Sequence, residues 1–147
     1  MAHIALIIGT TMGGAEAVAD ELQAQLEQDG HQVTATLDPE LADLEAAPLW
    51  LVVTSTHGAG ELPDNLHPFH AQLSEQKPDL SGTRIALCGI GDSSYDTFCG
   101  ALDQLDPLLR SLGAIPLVDR ISIDVQAQEI PEDQALSWLE SWQDRIV

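Results

Sequence analysis

Ile4-Ala5-Leu6-Ile7-Ile8-Gly9-Thr10-Thr11-Met12-Gly13-Gly14-Ala15 passes from an unbroken apolar segment into a polar, glycine-bearing loop without a single charge. An apolar run with no polar alternation reads as a strand covered on both faces. The same transition occurs twice more. Trp50-Leu51-Val52-Val53 leads into Thr54-Ser55-Thr56-His57-Gly58-Ala59-Gly60-Glu61, and Ile85-Ala86-Leu87-Cys88 leads towards Gly91-Asp92-Ser93-Ser94-Tyr95-Asp96-Thr97-Phe98. Such strands belong to parallel sheets flanked by helices, where ligands bind at the loops that follow the carboxyl ends. None of the three loops contains lysine or arginine. The first offers hydroxyls and backbone N–H groups at a helix start, which suits a phosphate. The third offers an aromatic ring. Together they point to a flat, phosphorylated cofactor.

Helical and strand signals alternate between these loops. Ala15, Val18, Ala19, Leu22 and Leu26 recur at helical spacing and stop near Asp29-Gly30. Gln32 to Leu37 alternates like a half-buried or edge strand, and a short acidic segment (Glu40 to Glu45) follows. Leu66, Phe69 and Leu73 mark a second helix, with Asn65 as its expected N-cap. Ala101, Leu105, Leu108, Leu109 and Leu112 mark a third, stopped by Gly113. Ile115 to Ile123 supplies a fifth strand region with a bend expected at Asp119-Arg120. Pro131 opens the last helix, carried by Ala135, Leu139, Trp142 and Ile146. The βαβαβαβαβα order predicts one α/β domain over residues 1–147, a doubly wound five-stranded parallel sheet in the order 2-1-3-4-5 with right-handed crossovers. Its switch point would set the first two polar loops face to face.

Composition narrows the partners. The chain has 147 residues and a net charge of −19, and its basic residues are Lys77, Arg84, Arg110, Arg120 and Arg145 alone. That balance argues against nucleic acid or an anionic membrane, both of which are met largely by Lys and Arg. It is compatible with plain solubility or with docking to a basic face on a larger protein. Cys88 sits in an apolar strand and Cys99 in a loop, so a structural disulfide is not expected, and His3, His31, His57, His67 and His70 lack metal-ligand spacing. The start of the chain shows no secretion signal and no apolar stretch reaches membrane length, which leads to the expectation of a soluble, cytoplasmic protein.

The first loop is neither of the common nucleotide motifs. A Walker loop needs a lysine, and none occurs before Lys77; Gly9, Gly13 and Gly14 do not have dinucleotide-fingerprint spacing. What is left is a hydroxyl-rich turn into a helix, able to hold a dianion through neutral donors and the helix end, or simply an ordinary strand–helix turn capped by threonine. In the second loop Gly58 and Gly60 flank Ala59, a backbone that can reorient at low steric cost. There His57 lies either against a ring or in solvent. Tyr95 in the third loop is either a ring contact or a half-buried tyrosine with a satisfied hydroxyl.

Thr10-Thr11-Met12-Gly13-Gly14-Ala15-Glu16, the segment from Ser55 to Asn65 and the segment from Gly91 to Cys99 resemble the three FMN loops of the flavodoxin family. The second and third are similar to the FMN domains of diflavin reductases. Over its full length the chain resembles the short MioC group of flavodoxin-like proteins, with Asp64-Asn65, Gln76-Lys77-Pro78-Asp79-Leu80 and Ile130-Pro131-Glu132-Asp133 adding to the match. The resemblance implies that Thr10, Thr11, Met12, Gly13, Gly14 and Ala15 bind the FMN phosphate. It makes Ser55, Thr56, His57, Gly58, Ala59 and Gly60 cofactor-binding residues, with His57 and Tyr95 flanking the isoalloxazine. Gly58 corresponds to the position whose backbone carbonyl reaches flavin N5 when the ring is half-reduced. Gly91, Asp92, Ser93, Phe98 and Cys99 correspond to ring-contacting positions, and Asp124 to one at the ring edge. Two departures stand out. Met12 and Gly14 replace polar residues common in the family, and His57 replaces an aromatic ring, adding a titratable group.

The resemblance implies an electron carrier rather than a stand-alone enzyme. Single electrons would arrive from a separate flavoprotein reductase and leave to an acceptor enzyme, both with basic docking faces, and the carrier would be a monomer. The alternative is an FMN-dependent NAD(P)H:acceptor reductase, which needs a nicotinamide cleft and usually a cation for its phosphates. A non-redox receiver domain of the same topology would need clustered carboxylates after the first strand, where Gly9 and Thr10 stand instead.

Overall fold

In a computed structural model, residues 3–9, 14–37, 39–40, 44, 47–55, 64–91, 100–124 and 130–146 are described. β1 (His3–Gly9) leads to α1 (Gly14–Gln28), then β2 (Gln32–Thr36) and β3 (Leu49–Ser55). A 3₁₀ turn (Asp64–Leu66) leads directly into α2 (His67–Gln76), which is followed by β4 (Arg84–Gly91) and α3 (Gly100–Ser111). The last strand region is divided into β5 (Ile115–Pro116) and β6 (Ile121–Asp124), and α4 (Pro131–Glu140) and a 3₁₀ turn (Gln143–Arg145) complete the order. Every pairing is parallel: β2-β1-β3-β4-β5, with β6 also on β4. The sheet is therefore the expected 2-1-3-4-5 arrangement with its fifth position in two pieces.

Strand periodicity sorts the core into two layers. Ile4, Leu6 and Ile8 of β1, Leu49, Leu51 and Val53 of β3, and Ala86, Cys88 and Ile90 of β4 pack with α1 and α4 on one face. Ala5, Ile7, Trp50, Val52, Ile85 and Leu87 point to the other face, against Phe69 and Leu73 of α2 and Leu102, Leu105 and Leu109 of α3. The α1 stripe expected from spacing, Ala15, Val18, Ala19, Leu22 and Leu26, is wholly buried. Each large apolar side chain so buried contributes about 1.5–3 kcal/mol, far more than helix propensity does. Both glycine stops hold: Gly30 (φ 94°) and Gly113 (φ 104°) take the left-handed backbone that ends a helix. Lys77 ends α2 in the same conformation (φ 46°) without being glycine. In the turn that follows, the Ser81 backbone N–H and then its hydroxyl hold the Asp79 carboxyl below the usual carboxylate range.

The bend in the last strand region is longer than expected, running from Leu117 to Arg120. Three side chains fasten it. Arg120 pairs with Asp103 at 2.5 Å and Asp106 at 3.8 Å on α3, the Trp138 indole N–H donates to the Asp119 carbonyl at 3.3 Å, and Arg145 donates to the Leu117 carbonyl at 3.3 Å. Trp138 is held in turn by edge-to-face contact with Trp142, centroids 5.1 Å apart.

Asn65 does not cap α2. The helix begins at His67 behind Leu66, with no side-chain cap and with Pro68 in its first turn. Asn65 instead lies inside the 3₁₀ turn that precedes the helix, and its side-chain nitrogen donates to the carbonyls of Ile8 and Leu37. Leu66 is fully buried and presses on the end of β1, where a Cβ on Gly9 would overlap Leu66 Cδ1 and Thr54 Oγ1. Gly9→Ala is expected to destabilise the fold by about 1–3 kcal/mol, the usual range for overpacking. A chemical-denaturation midpoint checks this, and adding Leu66→Ala should cost less than the sum of the two single effects because the residues touch.

Candidate cofactor-binding edge

The strand registers bring four carboxyl ends to one edge of the sheet. Gly9 of β1 stands opposite Thr54 of β3, Ser55 opposite Ile90 of β4, and Gly91 opposite Asp124 of β6, so that each later strand reaches one or two residues beyond Gly9. With adjacent strands about 4.8 Å apart, the edge from β1 to β6 is about 14 Å wide. The chain leaving β1 enters α1 on one face of the sheet, while that leaving β3 enters α2 on the other. Helices that follow neighbouring strands thus lie on opposite faces of the sheet, the arrangement that marks a topological switch point.

Side chains at this edge close off the strand ends. Thr54, the only buried polar residue among those described, donates its hydroxyl proton to the Ser55 carbonyl at 2.9 Å. Ser55 Oγ lies 3.5 Å from the Gly9 carbonyl, a long contact between the ends of β3 and β1. The Asn65 amide donates to the carbonyls of Ile8 at 2.7 Å and Leu37 at 2.8 Å, which binds the 3₁₀ turn to the ends of β1 and β2. Asp124 is half-buried, and its backbone carbonyl accepts from Gln134 on α4 at 3.3 Å.

The start of α1 supplies the feature that suits a phosphate. Gly14 opens the helix within five residues of the end of β1, and Ala15 behind it is fully buried. The first four N–H groups of any helix lack intrahelical acceptors, and the helix end carries partial positive charge. Glycine and alanine at the first two positions add no polar or bulky side chain, while Glu16 brings a carboxylate into the first turn. The donors here that suit a dianion are neutral, and nothing among the described residues there supplies a cation.

Of the residues expected to bind cofactor, Gly14, Ala15, Ser55, Gly91 and Asp124 are brought together on this edge. Thr10, Thr11, Met12, Gly13, Thr56, His57, Gly58, Ala59, Gly60, Asp92, Ser93, Tyr95, Phe98 and Cys99 lie outside the described residues. Sequence reasoning passed over Thr54 and gave Asn65 a different task. Among the described residues no group of three or more His, Cys, Asp or Glu could hold a metal ion, and no helix is long and apolar enough to cross a membrane.

Comparison with known proteins agrees with this architecture. The family model described as Flavodoxin matches residues 6–138. Protein MioC of Escherichia coli strain K12 is 50% identical over 142 residues, spanning 97% of each chain. Flavodoxin YqcA of Pectobacterium carotovorum is 40% identical over 152 aligned positions, covering 99% of this chain and 98% of its own. A solved C101A mutant of flavodoxin from Pseudomonas aeruginosa superposes with a TM-score of 0.90 at 35% identity, covering 98% of both chains. With a parallel sheet in the order 2-1-3-4-5 and a family match over most of its length, the chain belongs to the flavodoxin family, FMN proteins that transfer electrons, and falls with its MioC group.

Proposed function

We propose that residues 1–147 form one flavodoxin domain that binds a single FMN at this edge. In this reading it acts as a cytoplasmic monomer, carrying single electrons from a separate flavoprotein reductase to an acceptor enzyme. The observation that carries the reading is the set of strand ends Gly9, Ser55, Gly91 and Asp124 at one edge of the sheet, beside the start of α1. When bound, FMN supplies the one-electron chemistry, and the protein supplies orientation and electrostatics. Thr10 to Ala15 would hold the phosphate through hydroxyls and helix-start N–H groups. His57 and Tyr95 would flank the ring, with Gly58 to Gly60, Gly91, Asp92, Ser93, Phe98, Cys99 and Asp124 as its further contacts.

Charge geography supports docking at the same edge. In a sheet whose helices all run antiparallel to its strands, the starts of strands and the ends of helices share one pole. Arg84 opens β4, Lys77 ends α2, Arg110 is in the last turn of α3 and Arg145 follows α4, so four of the five basic residues collect at the pole away from the cofactor edge. The fifth, Arg120, is paired with Asp103 and Asp106. The cofactor pole is left without a compensating cation in a chain of net charge −19. Such an asymmetric field turns the acidic pole towards a basic partner during encounter. At one of the two sheet edges, Pro116 and the Leu117–Arg120 bend interrupt the strand that a second copy would extend, which supports the monomeric reading at that edge.

Purified protein should bind one FMN with clear preference over riboflavin. Thr11→Ala should weaken FMN by about 1–3 kcal/mol if a charge-assisted bond is lost, and leave riboflavin nearly unchanged. Equal wild-type affinity for both ligands, measured by quenching of flavin fluorescence, would refute the phosphate role of the loop. Tyr95→Ala should brighten the bound flavin and cost about 0.5–1.5 kcal/mol beyond lost contact area. Unchanged emission and affinity would place the ring elsewhere. Stopped-flow reduction by a basic-faced reductase should slow steeply as salt is raised, because screening removes the steering field. A rate that is flat or rising with salt would count against docking at the acidic pole.

A further inference from the structure

Two of the five basic residues, in a chain with 24 Asp and Glu, line one small cavity at the pole away from the cofactor edge. The cavity has a volume of about 170 Å³, and no carboxylate is among its described lining residues. Strand alternation sets Arg84 on the same face as Ala86 and Cys88, the face covered by α1 and α4. Among the described residues its guanidinium makes no ion pair and no hydrogen bond; the ion pairs there go to Arg110 and Arg120. Arg145 donates from Nη1 to the Leu117 carbonyl at 3.3 Å, which leaves most of its N–H groups unused. Both arginines are exposed, so they stand at the rim. The remaining wall is apolar, built from Pro48 and Leu49 at the start of β3, Leu117 of the bend and Ile146 beyond α4. These parts are pinned together. The Arg84 backbone N–H donates to the Pro48 carbonyl at 2.9 Å, and the Leu117 N–H to the Ile85 carbonyl at 2.8 Å. A wall already fixed in place loses little conformational freedom when a ligand arrives.

We propose that this cavity is a ligand site separate from the cofactor edge. It takes a small organic carboxylate whose apolar body lies against the wall while Arg84 and Arg145 hold the charged end. Guanidinium forks match the two oxygens of a carboxylate, and bonds between charged groups are the stronger kind. Size restricts the ligand. Sites for drug-sized molecules begin at about 300 Å³, so this one admits a single ring or a short chain. A bare inorganic anion would leave the apolar wall wet, and an uncharged ring would leave both guanidiniums without a partner. The field of a molecule with net charge −19 opposes anions in general, so the ligand must use both halves of the site. Nothing at the cofactor edge enters this inference, and it stands or falls apart from the FMN reading.

The test titrates the full-length, isotope-labelled protein with benzoate, benzyl alcohol and inorganic phosphate, following backbone amide shifts by NMR. Benzoate is expected to move the amides of Leu49, Gly82, Arg84, Leu117 and Ile146 and to saturate. Benzyl alcohol and phosphate should each bind at least about tenfold more weakly, since each lacks half of the recognition. Arg84→Gln should weaken benzoate about tenfold and leave the melting temperature and FMN binding unaltered, because its guanidinium has no partner among the described residues. Gly82→Leu is the second variant. A Cβ on Gly82, which also lines the cavity, would meet no atom within 4 Å, so the fold can take the side chain that should block benzoate. Benzoate that moves none of these amides, or that binds either variant as tightly as wild type, would overturn the proposal. Benzyl alcohol binding as well as benzoate would make the cavity merely apolar, and phosphate doing so would make it merely a basic patch; either result overturns the proposal too.

Discussion

Side chains of β1, β3 and β4 pack against helices on both faces, so neither face offers water to an unpaired backbone group. Each N–H and C=O along these strands must find its partner in the neighbouring strand, because a buried unpaired group costs about 1–3 kcal/mol. A slip of one residue would also exchange the two apolar layers, carrying Trp50 and Ile7 to the side now filled by α1 and α4. Register is therefore tightly held, and the alignment of the strand ends follows from it. The site is precise because the core beneath it cannot slide.

The ends of those strands are where the pairing runs out, and short polar side chains take over there. Thr54 closes the Ser55 carbonyl, and Asn65 closes those of Ile8 and Leu37. None of these groups is charged, which leaves the field at the edge to the start of α1 and to the acidic surface. In the proposed reading, a neutral cradle inside a strongly negative molecule would hold an anion by geometry and the helix end rather than by a cation. Lys77, Arg110 and Arg145 stand at the far pole, near helix C-termini whose partial negative charge they offset. Cofactor retention and partner attraction would then rest on separate features of one charge distribution.

Much of this was legible in the chain. Unbroken apolar runs at Ile4–Ile8, Trp50–Val53 and Ile85–Cys88 announced strands covered on both sides, and helical spacing found every buried residue of α1. Both glycine stops were legible because few residues other than glycine take positive φ at low cost. Asn65 was misread because asparagine is a good helix cap by type, and only the fold shows that two carbonyls from distant strands stand within reach of its amide. The extent of the bend at Leu117–Arg120 was hidden for a similar reason, since its fastenings come from Asp103, Trp138 and Arg145 on three other elements.

Local chemistry by itself determined the fold class, the position of the polar loops at strand ends, the absence of basic residues from those loops and the excess of acid. Periodicity, glycine placement and charge are properties of neighbouring residues and survive without a folded chain. Tertiary structure alone decided that the ends of β1, β3, β4 and β6 meet at one edge, that Leu66 fills the space a side chain on Gly9 would occupy, and that four of the five basic residues collect at one pole. Those facts depend on contacts between residues tens of positions apart, whose distances are set by strand register and helix packing and leave no mark on local sequence.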